Sequence, residues 1–178
     1  VKKVILVALN AKYIHSNLAL RYLSRFQENY QKYPITIKEF TINQRMDFII
    51  EELYCLQPDV ILFSCYIWNV EQLRQLCPVL KKILPNCMIG FGGPEVSYES
   101  EAFLRENPAV DVVLRGEGEL VFTNLLKHIH EGFPLTEING ITFRQGAEIL
   151  STSAQEPLDL ALLPFPYEED FSDVENQI

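Results

Sequence analysis

Short apolar runs alternate along the chain with longer segments in which apolar residues recur every three or four positions. A continuous apolar run is typical of a parallel strand buried on both faces of a sheet, and the longer spacing predicts an amphipathic helix that covers such a sheet. The predicted strands are 4–9, 35–40, 60–63, 87–91 and 111–114. The predicted helices are 18–26, with Ser16 or Asn17 as its cap, then 45–56, 69–83, 97–106 and 117–130.

Five strand–helix units in series predict an α/β fold, because parallel strands need long crossover connections and helices supply them. Right-handed crossovers leave few topologies. We expect a doubly wound, flavodoxin-like or Rossmann-like sheet of five parallel strands in the order 2-1-3-4-5. Pro78 conflicts with the third helix, since proline lacks the N–H that a helix uses, and it predicts a kink or a late start there.

The pattern changes after the last predicted helix. Residues 141–144 and 147–150 flank Gly146, which predicts a small β-hairpin with glycine in its turn. Beyond Ser151 the chain is rich in proline and stops without a closing element. We therefore expect an α/β domain over 1–132, a hairpin appendage over 133–151, and a linker over 152–178 that leads into a further domain.

Composition argues against several classes of protein. The net charge is −9 and the Lys and Arg residues are scattered, whereas nucleic-acid binding needs them clustered on one face. The four cysteines lie ten or more residues apart, without histidines at metal-ligand spacing, and are expected to be reduced thiols of a cytoplasmic protein. No apolar stretch is long enough for a secretion signal or a membrane span, so we expect no membrane partner.

Three segments that are polar or rich in glycine each follow a predicted buried strand: 64–66, 92–95 and 115–119. A fourth segment, 10–17, follows the first strand and contains His15. Because the carboxyl ends of parallel strands meet along one edge, the four segments should lie together, and that edge is where open α/β sheets bind ligands. The sequence therefore predicts a ligand site built from four loops.

Several common ligands of such sheets need motifs that this chain lacks. The loop 10–17 contains no glycine, so it is not a dinucleotide fingerprint, and the chain has no P-loop motif. A phosphorylated receiver domain needs a carboxylate in place of Ser64 and a lysine in place of Arg115. A flavin site would need a phosphate loop rich in Ser and Thr. An imidazole, a hydroxyl and glycines at two strand ends remain to be explained.

His15, the segment 64–66 and the pair Gly92-Gly93 together resemble the cobalamin-binding domain. The resemblance implies that the nucleotide tail of cobalamin enters a channel beside the sheet, which Ser64 and the two glycines line. A serine hydroxyl can hydrogen-bond a buried ring nitrogen, and glycines let a bulky tail approach the backbone closely.

The same resemblance implies that His15 ligates the lower face of the cobalt, for which neutral imidazole is well suited. Family members with this ligand carry Asp-x-His-x-x-Gly, whereas Tyr13 and Leu18 stand at the outer positions here. The missing aspartate would orient the ring. A different cobalt ligand, or none, is therefore the alternative to His15.

The segments 92–95 and 111–119, the hairpin and the linker segment 163–166 further resemble the N-terminal domains of cobalamin-dependent radical S-adenosylmethionine (SAM) enzymes. The cluster motif Cys-x-x-x-Cys-x-x-Cys of such enzymes is absent here. The resemblance therefore implies a 4Fe-4S cluster and SAM only in a downstream radical SAM domain. It also implies a parent enzyme that performs methyl transfer or cobalt-assisted radical chemistry on an unknown substrate, and no catalytic residue in this segment itself.

Structural roles compete with cofactor contact throughout this edge. Glycines permit tight turns, Ser64 can cap a turn, and Tyr66 and Trp68 can pack under a neighbouring domain. A domain that has lost the cofactor and serves as a scaffold, or recruits substrate, is the alternative function. The candidate cofactor contacts are Asn10, His15, Ser64, Cys65, Tyr66, Trp68, Gly92, Gly93, Pro94, Glu95, Gly116, Glu117 and Gly118.

Overall fold

Seven strands form one sheet in the computed structural model, which describes residues 1–13, 16–28 and 33–166. Within these residues, six α-helices accompany the sheet. The strands are β1 Val4–Asn10, β2 Ile35–Thr41, β3 Val60–Ser64, β4 Met88–Gly92, β5 Val112–Leu114, β6 Ile141–Gln145 and β7 Glu148–Ser151. The helices are α1 Leu18–Glu28, α2 Met46–Leu56, α3 Val70–Ile83, α4 Pro94–Ser97, α5 Ser100–Glu106 and α6 Gly118–Glu131.

The first five strands run parallel in the order β2-β1-β3-β4-β5, which confirms the predicted topology. The hairpin continues this sheet, because β6 pairs antiparallel with β5 and β7 with β6. An isolated hairpin is only marginally stable, and Ile141 and Phe143 of β6 are buried in the core beside the sheet. The described sheet therefore has seven strands instead of five. The domain boundaries at 132 and 151 stay predictions.

Two separate cores flank the sheet, since successive strand residues point to opposite faces. Ile61 and Phe63 of β3 pack into one core with residues of α2, α3 and α5, and we call this side the α3 face. Val60 and Leu62 pack into the other core with residues of α1 and α6, and we call this side the α1–α6 face. Burial on both faces explains why the central strands are continuous apolar runs.

Helix α3 runs without interruption from Val70 to Ile83, directly after Asn69, so the predicted late start was wrong. Pro78 lies on the exposed side of this helix. The backbone carbonyl that loses its N–H partner one turn earlier can therefore be solvated by water, which lowers the cost of a proline inside a helix.

The helix predicted over 97–106 corresponds to α5, which begins at Ser100, and the short helix α4 precedes it. Pro94 occupies the first position of α4, where its fixed φ favours an early helix start. Glu99 then leaves the helical conformation with φ −113° and ψ 43°, and α5 begins after it.

The longest helices of the described chain, α3 and α6, have 14 residues each. About 20 apolar residues are needed to cross a bilayer as a helix. Among the described residues, none of the helices meets the length and hydropathy of a membrane span.

Candidate functional site

Small side chains stand next to one another on the α1–α6 face at the carboxyl edge of the sheet. Ala8 of β1 pairs in register with Ser64 of β3, and Ser64 pairs with Gly92 of β4. Gly92 pairs in turn with Leu114 of β5. Three of the four residues in this layer therefore leave space above the backbone.

A cavity of about 140 Å³ lies between this layer and helices α1 and α6, and we call it the α1–α6 cavity. Its wall is largely apolar. Six predicted site residues line it: Ser64, Tyr66, Gly92, Gly93, Gly116 and Gly118. Eight further lining residues were not among the predicted contacts: Leu6, Ala19, Leu20, Leu23, Leu62, Phe63, Leu114 and Glu119.

The hydroxyl of Ser64 is held by Asn17. Asn17 Nδ2 donates to Ser64 Oγ over 2.9 Å, and both residues are buried. Asn17 Oδ1 accepts the backbone N–H of Leu20 over 3.2 Å, so Asn17 caps α1 as predicted and its amide orientation is fixed. A hydroxyl has one O–H donor and two lone pairs. The bond from Asn17 uses a lone pair, which leaves the Ser64 proton available to a ligand.

The two adjacent glycines after β4 have different roles. A Cβ added at Gly92 would meet Leu114 only at van der Waals distance, 3.8 Å from its Cβ, so nothing but the cavity occupies the side-chain direction. Gly93 has φ +116°, and a Cβ there would collide with the backbone carbonyl of Cys65. Gly93 is therefore required by the backbone, whereas Gly92 keeps the cavity open.

The segment before α6 combines backbone roles with a position at the cavity. Gly116 adopts φ +73°, and a Cβ on Gly118 would lie 3.0 Å from Leu23 Cδ2 of α1. Gly116 lets the chain turn sharply before α6, and Gly118 lets the start of α6 approach α1 closely. Glu117 lies outside the cavity lining, and its carboxylate accepts the backbone N–H of Leu158 over 2.7 Å.

An aromatic pair stands at the end of β3. The rings of Tyr66 and Trp68 stack with centroids 4.5 Å apart and planes within 5°, and burial raises the pKa of Tyr66. Trp68 Nε1 donates to the carbonyl of Leu9 over 3.3 Å. The pair is thus fixed to both β1 and β3 while Trp68 remains half exposed.

Asn69 fixes the loop that carries this pair, a role that sequence interpretation missed. Its Oδ1 accepts the N–H of Tyr66 over 2.9 Å, and its Nδ2 donates to the carbonyls of Leu9 and Ser64 over 3.1 and 3.0 Å. From the sequence, a polar residue just before a helix predicts only the start of that helix. Its near-complete burial, which a single sequence does not reveal, is what identifies the second role.

Several other predicted contacts lie away from the cavity. Cys65 is buried in the core of the α3 face, where burial raises the pKa of its thiol to about 12. Asn10 ends β1 and its carbonyl accepts the N–H of Ile42 over 3.0 Å. Pro94 and Glu95 are exposed at the start of α4. His15, the predicted cobalt ligand, lies outside the described residues.

Arg115 connects the end of β5 to the hairpin. Its Nη2 donates to the carbonyl of Ile141 over 3.2 Å and to the carbonyl of Thr152. Both of these acceptors are backbone carbonyls, so the role of Arg115 at this edge is to hold the hairpin.

Exposed apolar side chains follow the carboxyl ends of three strands. Tyr13 follows β1, Ile67 and Trp68 follow β3, and Tyr98 follows β4. Tyr98 is 93% and Ile67 78% exposed. Exposed apolar groups gathered at one edge indicate a surface that meets another molecule or domain. In the part of the chain that the structure describes, no group of three His, Cys, Asp or Glu side chains could hold a metal ion.

Residues 4–126, well over half of the chain, match the family model of the B12 binding domain. The chain belongs to the B12-binding domain family. The matched range contains every lining residue of the α1–α6 cavity.

This B12-binding domain is related to cobalamin-dependent radical SAM enzymes. The cobalamin-dependent radical SAM methyltransferase TokK of Streptomyces tokunonensis is 33% identical over 114 residues, which are 63% of this chain and 17% of TokK. The anaerobic magnesium-protoporphyrin IX monomethyl ester cyclase of Cereibacter sphaeroides is 32% identical over 60% of this chain and 18% of that enzyme. The chain therefore spans less than a fifth of the length of these curated relatives.

Solved structures share the fold. The cobalamin-dependent SAM radical enzyme OxsB, with aqua-cobalamin and SAM bound, superposes with a TM-score of 0.82 at 21% identity, over 99% of this chain and 25% of OxsB. The radical SAM methyltransferase TsrM of Kitasatospora setae, with cobalamin and a 4Fe-4S cluster bound, gives a TM-score of 0.70 at 16% identity, over 87% of this chain and 32% of TsrM. The Rossmann-like α/β fold of the B12-binding domain is thus common to both.

Proposed function

We propose that this B12-binding domain holds cobalamin with its nucleotide tail inserted into the α1–α6 cavity and its corrin ring against the carboxyl edge. The observation that carries the proposal is the cavity itself, which is lined by the small residues Ser64 and Gly92. A packed core would fill such a space, since voids in protein interiors are few and costly. A space kept open for an inserted group explains why small residues stand here.

The size and the chemistry of the cavity fit the base of the nucleotide. An engineered cavity of about 150 Å³ lined by Leu, Ile and Phe admits benzene, so the 140 Å³ here admits an aromatic ring. Ser64 can donate its hydroxyl proton to a ring nitrogen while Asn17 holds its oxygen. Gly92 leaves the ring face unobstructed.

The corrin ring would lie over the exposed apolar edge. Trp68 and Tyr66 offer a flat stacked pair, and Tyr98 and Ile67 extend the apolar surface. Bound cobalamin supplies a cobalt centre for methyl transfer or cobalt-assisted radical chemistry. The part of this chain is to orient the corrin and to exclude water from the tail. We keep His15 as the proposed ligand of the lower cobalt face.

The whole protein is proposed to be a radical SAM enzyme with a downstream domain that holds the 4Fe-4S cluster and SAM. The support is that TokK and its relatives are several times longer than this chain. The hairpin of 133–151 and the linker of 152–178 would lead toward that domain, which would meet the apolar edge. The substrate of the enzyme stays open. A cytoplasmic location is consistent with four free cysteines.

A scaffold without cofactor is the alternative function, and Tyr13 and Leu18 in the first loop favour it, since they replace the aspartate and glycine of the histidine motif. The cavity favours cofactor binding, because a scaffold gains nothing from an unfilled core.

Titration of the 178-residue chain with hydroxocobalamin, followed by visible spectroscopy and calorimetry, separates the two functions. We expect saturable binding with a spectrum that shows the nucleotide base displaced from cobalt. Absence of binding at high micromolar concentration would contradict cobalamin recognition by this chain. If His15 ligates cobalt, His15→Ala changes the visible spectrum of the complex, and an unchanged spectrum removes that assignment.

A further inference from the structure

We infer that the α1–α6 cavity selects among corrinoids by their lower base, and that it prefers a benzimidazole with methyl substituents to adenine. This inference rests on the proposed function, because it concerns the base that the cavity receives. It goes beyond that function in naming the chemical class of cofactor that the chain recognises.

The inner part of the cavity is lined by hydrocarbon. Leu6 and Leu62 pair in register one layer further from the carboxyl edge than Ala8 and Ser64, and both are buried. Leu20 of α1 is also buried, and Leu23 closes the roof near Gly118. Among the described lining residues, no polar side chain stands at this inner level.

The polar side chains of the lining stand at the mouth. Ser64 is the last residue of β3, Tyr66 lies beyond it, and Glu119 is the second residue of α6. All three therefore belong to the carboxyl edge. A base that enters from this edge meets polar groups with its near end and leucine side chains with its far end.

The backbone along the cavity floor has few free N–H or C=O groups that could form hydrogen bonds with polar atoms of a bound base. Parallel pairing of β1, β3 and β4 uses the strand N–H and C=O groups along the floor. At the mouth, the carbonyl of Gly92 accepts the N–H of Cys65 over 2.7 Å, and the carbonyl of Ser64 accepts Asn69 Nδ2 over 3.0 Å. The floor therefore behaves as an apolar surface toward a ligand.

The two common kinds of base differ at the end that reaches this interior. The six-membered ring of adenine carries an amino group and two ring nitrogens, whereas that of dimethylbenzimidazole carries only C–H and methyl groups. A polar group that is buried without a partner costs free energy, while a methyl group against leucine gains it. Both bases keep one free imidazole-type nitrogen, and the Ser64 hydroxyl can donate a hydrogen bond to it in either case. The difference therefore comes from the leucine lining.

Equilibrium binding of three corrinoids to the 178-residue chain tests this inference. The corrinoids are cobalamin, its analogue with adenine as the lower base, and cobinamide, which has no nucleotide, each titrated by calorimetry with visible spectra. We expect cobalamin to bind at least about tenfold more tightly than the adenine analogue, because two or more polar groups of adenine would be buried without hydrogen-bond partners. Cobinamide should bind more weakly than cobalamin.

The outcomes distinguish the inference from the proposed function. Equal affinities for cobalamin and the adenine analogue, both tighter than cobinamide, would overturn base selection and leave tail insertion intact. Equal affinities for cobalamin and cobinamide, or no binding by any of the three, would contradict tail insertion itself and base selection with it.

A pair of variants locates the source of the selection. Leu23 is only partly buried, so Leu23→Gln adds an amide to the cavity roof without forcing it into the closed core. The preference for cobalamin should shrink in Leu23→Gln and stay near the original ratio in the apolar control Leu23→Met. An unchanged ratio in Leu23→Gln, with cobalamin binding retained, would contradict the assignment of selectivity to the apolar lining.

Discussion

The two faces of the sheet are built from the same strands and have different interiors. On the α3 face, Phe63 and Phe91 contact edge to face with centroids 5.6 Å apart, and Phe103 lies against Phe91 at 5.3 Å. On the α1–α6 face, the neighbouring residues Ser64 and Gly92 border a cavity. Adjacent positions on β3 and β4 thus carry a phenylalanine toward one face and a serine or a glycine toward the other.

The difference teaches that side-chain size, more than hydropathy, marks the candidate site in a sheet buried on both faces. Phe63 and Ser64 are both almost inaccessible to solvent, so burial does not distinguish them. The alternation of large and small residues with period two does, because it assigns all the small ones to one face. Four variants, from the largest expected effect to the smallest, test this contrast.

Phe91→Ala tests the packed face. Phe91 is fully buried between Phe63 and Phe103, so removal of its ring leaves a cavity in the core. We expect the free energy of unfolding to fall by about 3–5 kcal/mol, as measured by urea denaturation followed by circular dichroism. A loss below about 1 kcal/mol would show that the α3 face is as loosely filled as the other.

Gly93→Ala tests the backbone role of the second glycine. The added Cβ meets the Cys65 carbonyl, and φ +116° is unfavourable for alanine, so we expect a loss of about 2–3 kcal/mol in the free energy of unfolding. Thermal denaturation measures it. Gly132→Ala is the matched control, because Gly132 also has positive φ, +79°, but has open space where the Cβ would stand. Equal losses in both variants would contradict a specific close approach at Gly93.

Gly92→Val tests the cavity face. The valine side chain would project into the α1–α6 cavity, so we expect cobalamin affinity to fall about 10- to 100-fold, the cost of overfilling a fitted site. Stability should change little, since the new Cβ has no close contact. Gly92→Ala, which adds one carbon, should lower affinity less. Cobalamin binding by Gly92→Val as tight as by the unmodified chain would exclude this cavity as the tail site.

Ser64→Ala tests the hydroxyl at the mouth. Loss of one hydrogen bond to the base should lower cobalamin affinity by about three- to tenfold. The Asn17 amide also loses its acceptor, so some stability is lost as well. Ser100→Ala is the control, since Ser100 is a buried serine bonded to Thr142 over 2.7 Å outside the cavity. A drop in affinity of the same size in both variants would indicate a general effect of destabilisation.

Much of this architecture could be predicted from the sequence, because it depends on local patterns. Apolar runs specify strands, the βα repeat specifies the order of the parallel strands, and Asn17 has the residue type and position of a helix cap. For the same reason, the glycines at the ends of β4 and β5 predicted the edge at which the α1–α6 cavity lies.

The rest depends on contacts between distant residues. The carbonyl partners of Arg115 belong to Ile141 and Thr152, which lie 26 and 37 residues later in the chain, and no local sequence pattern predicts them. Cys65 is a different case. It stands two residues after Phe63, so strand alternation alone would have assigned both to the α3 face and removed Cys65 from the candidate contacts.

The most direct test of the central claim is a crystal structure of this chain with cobalamin, in which the position of the lower base is measured. The account predicts the base inside the α1–α6 cavity, against Gly92, with a ring nitrogen within hydrogen-bond distance of Ser64 Oγ. A base that remains on cobalt, or that lies outside the cavity while the corrin is bound, would contradict it.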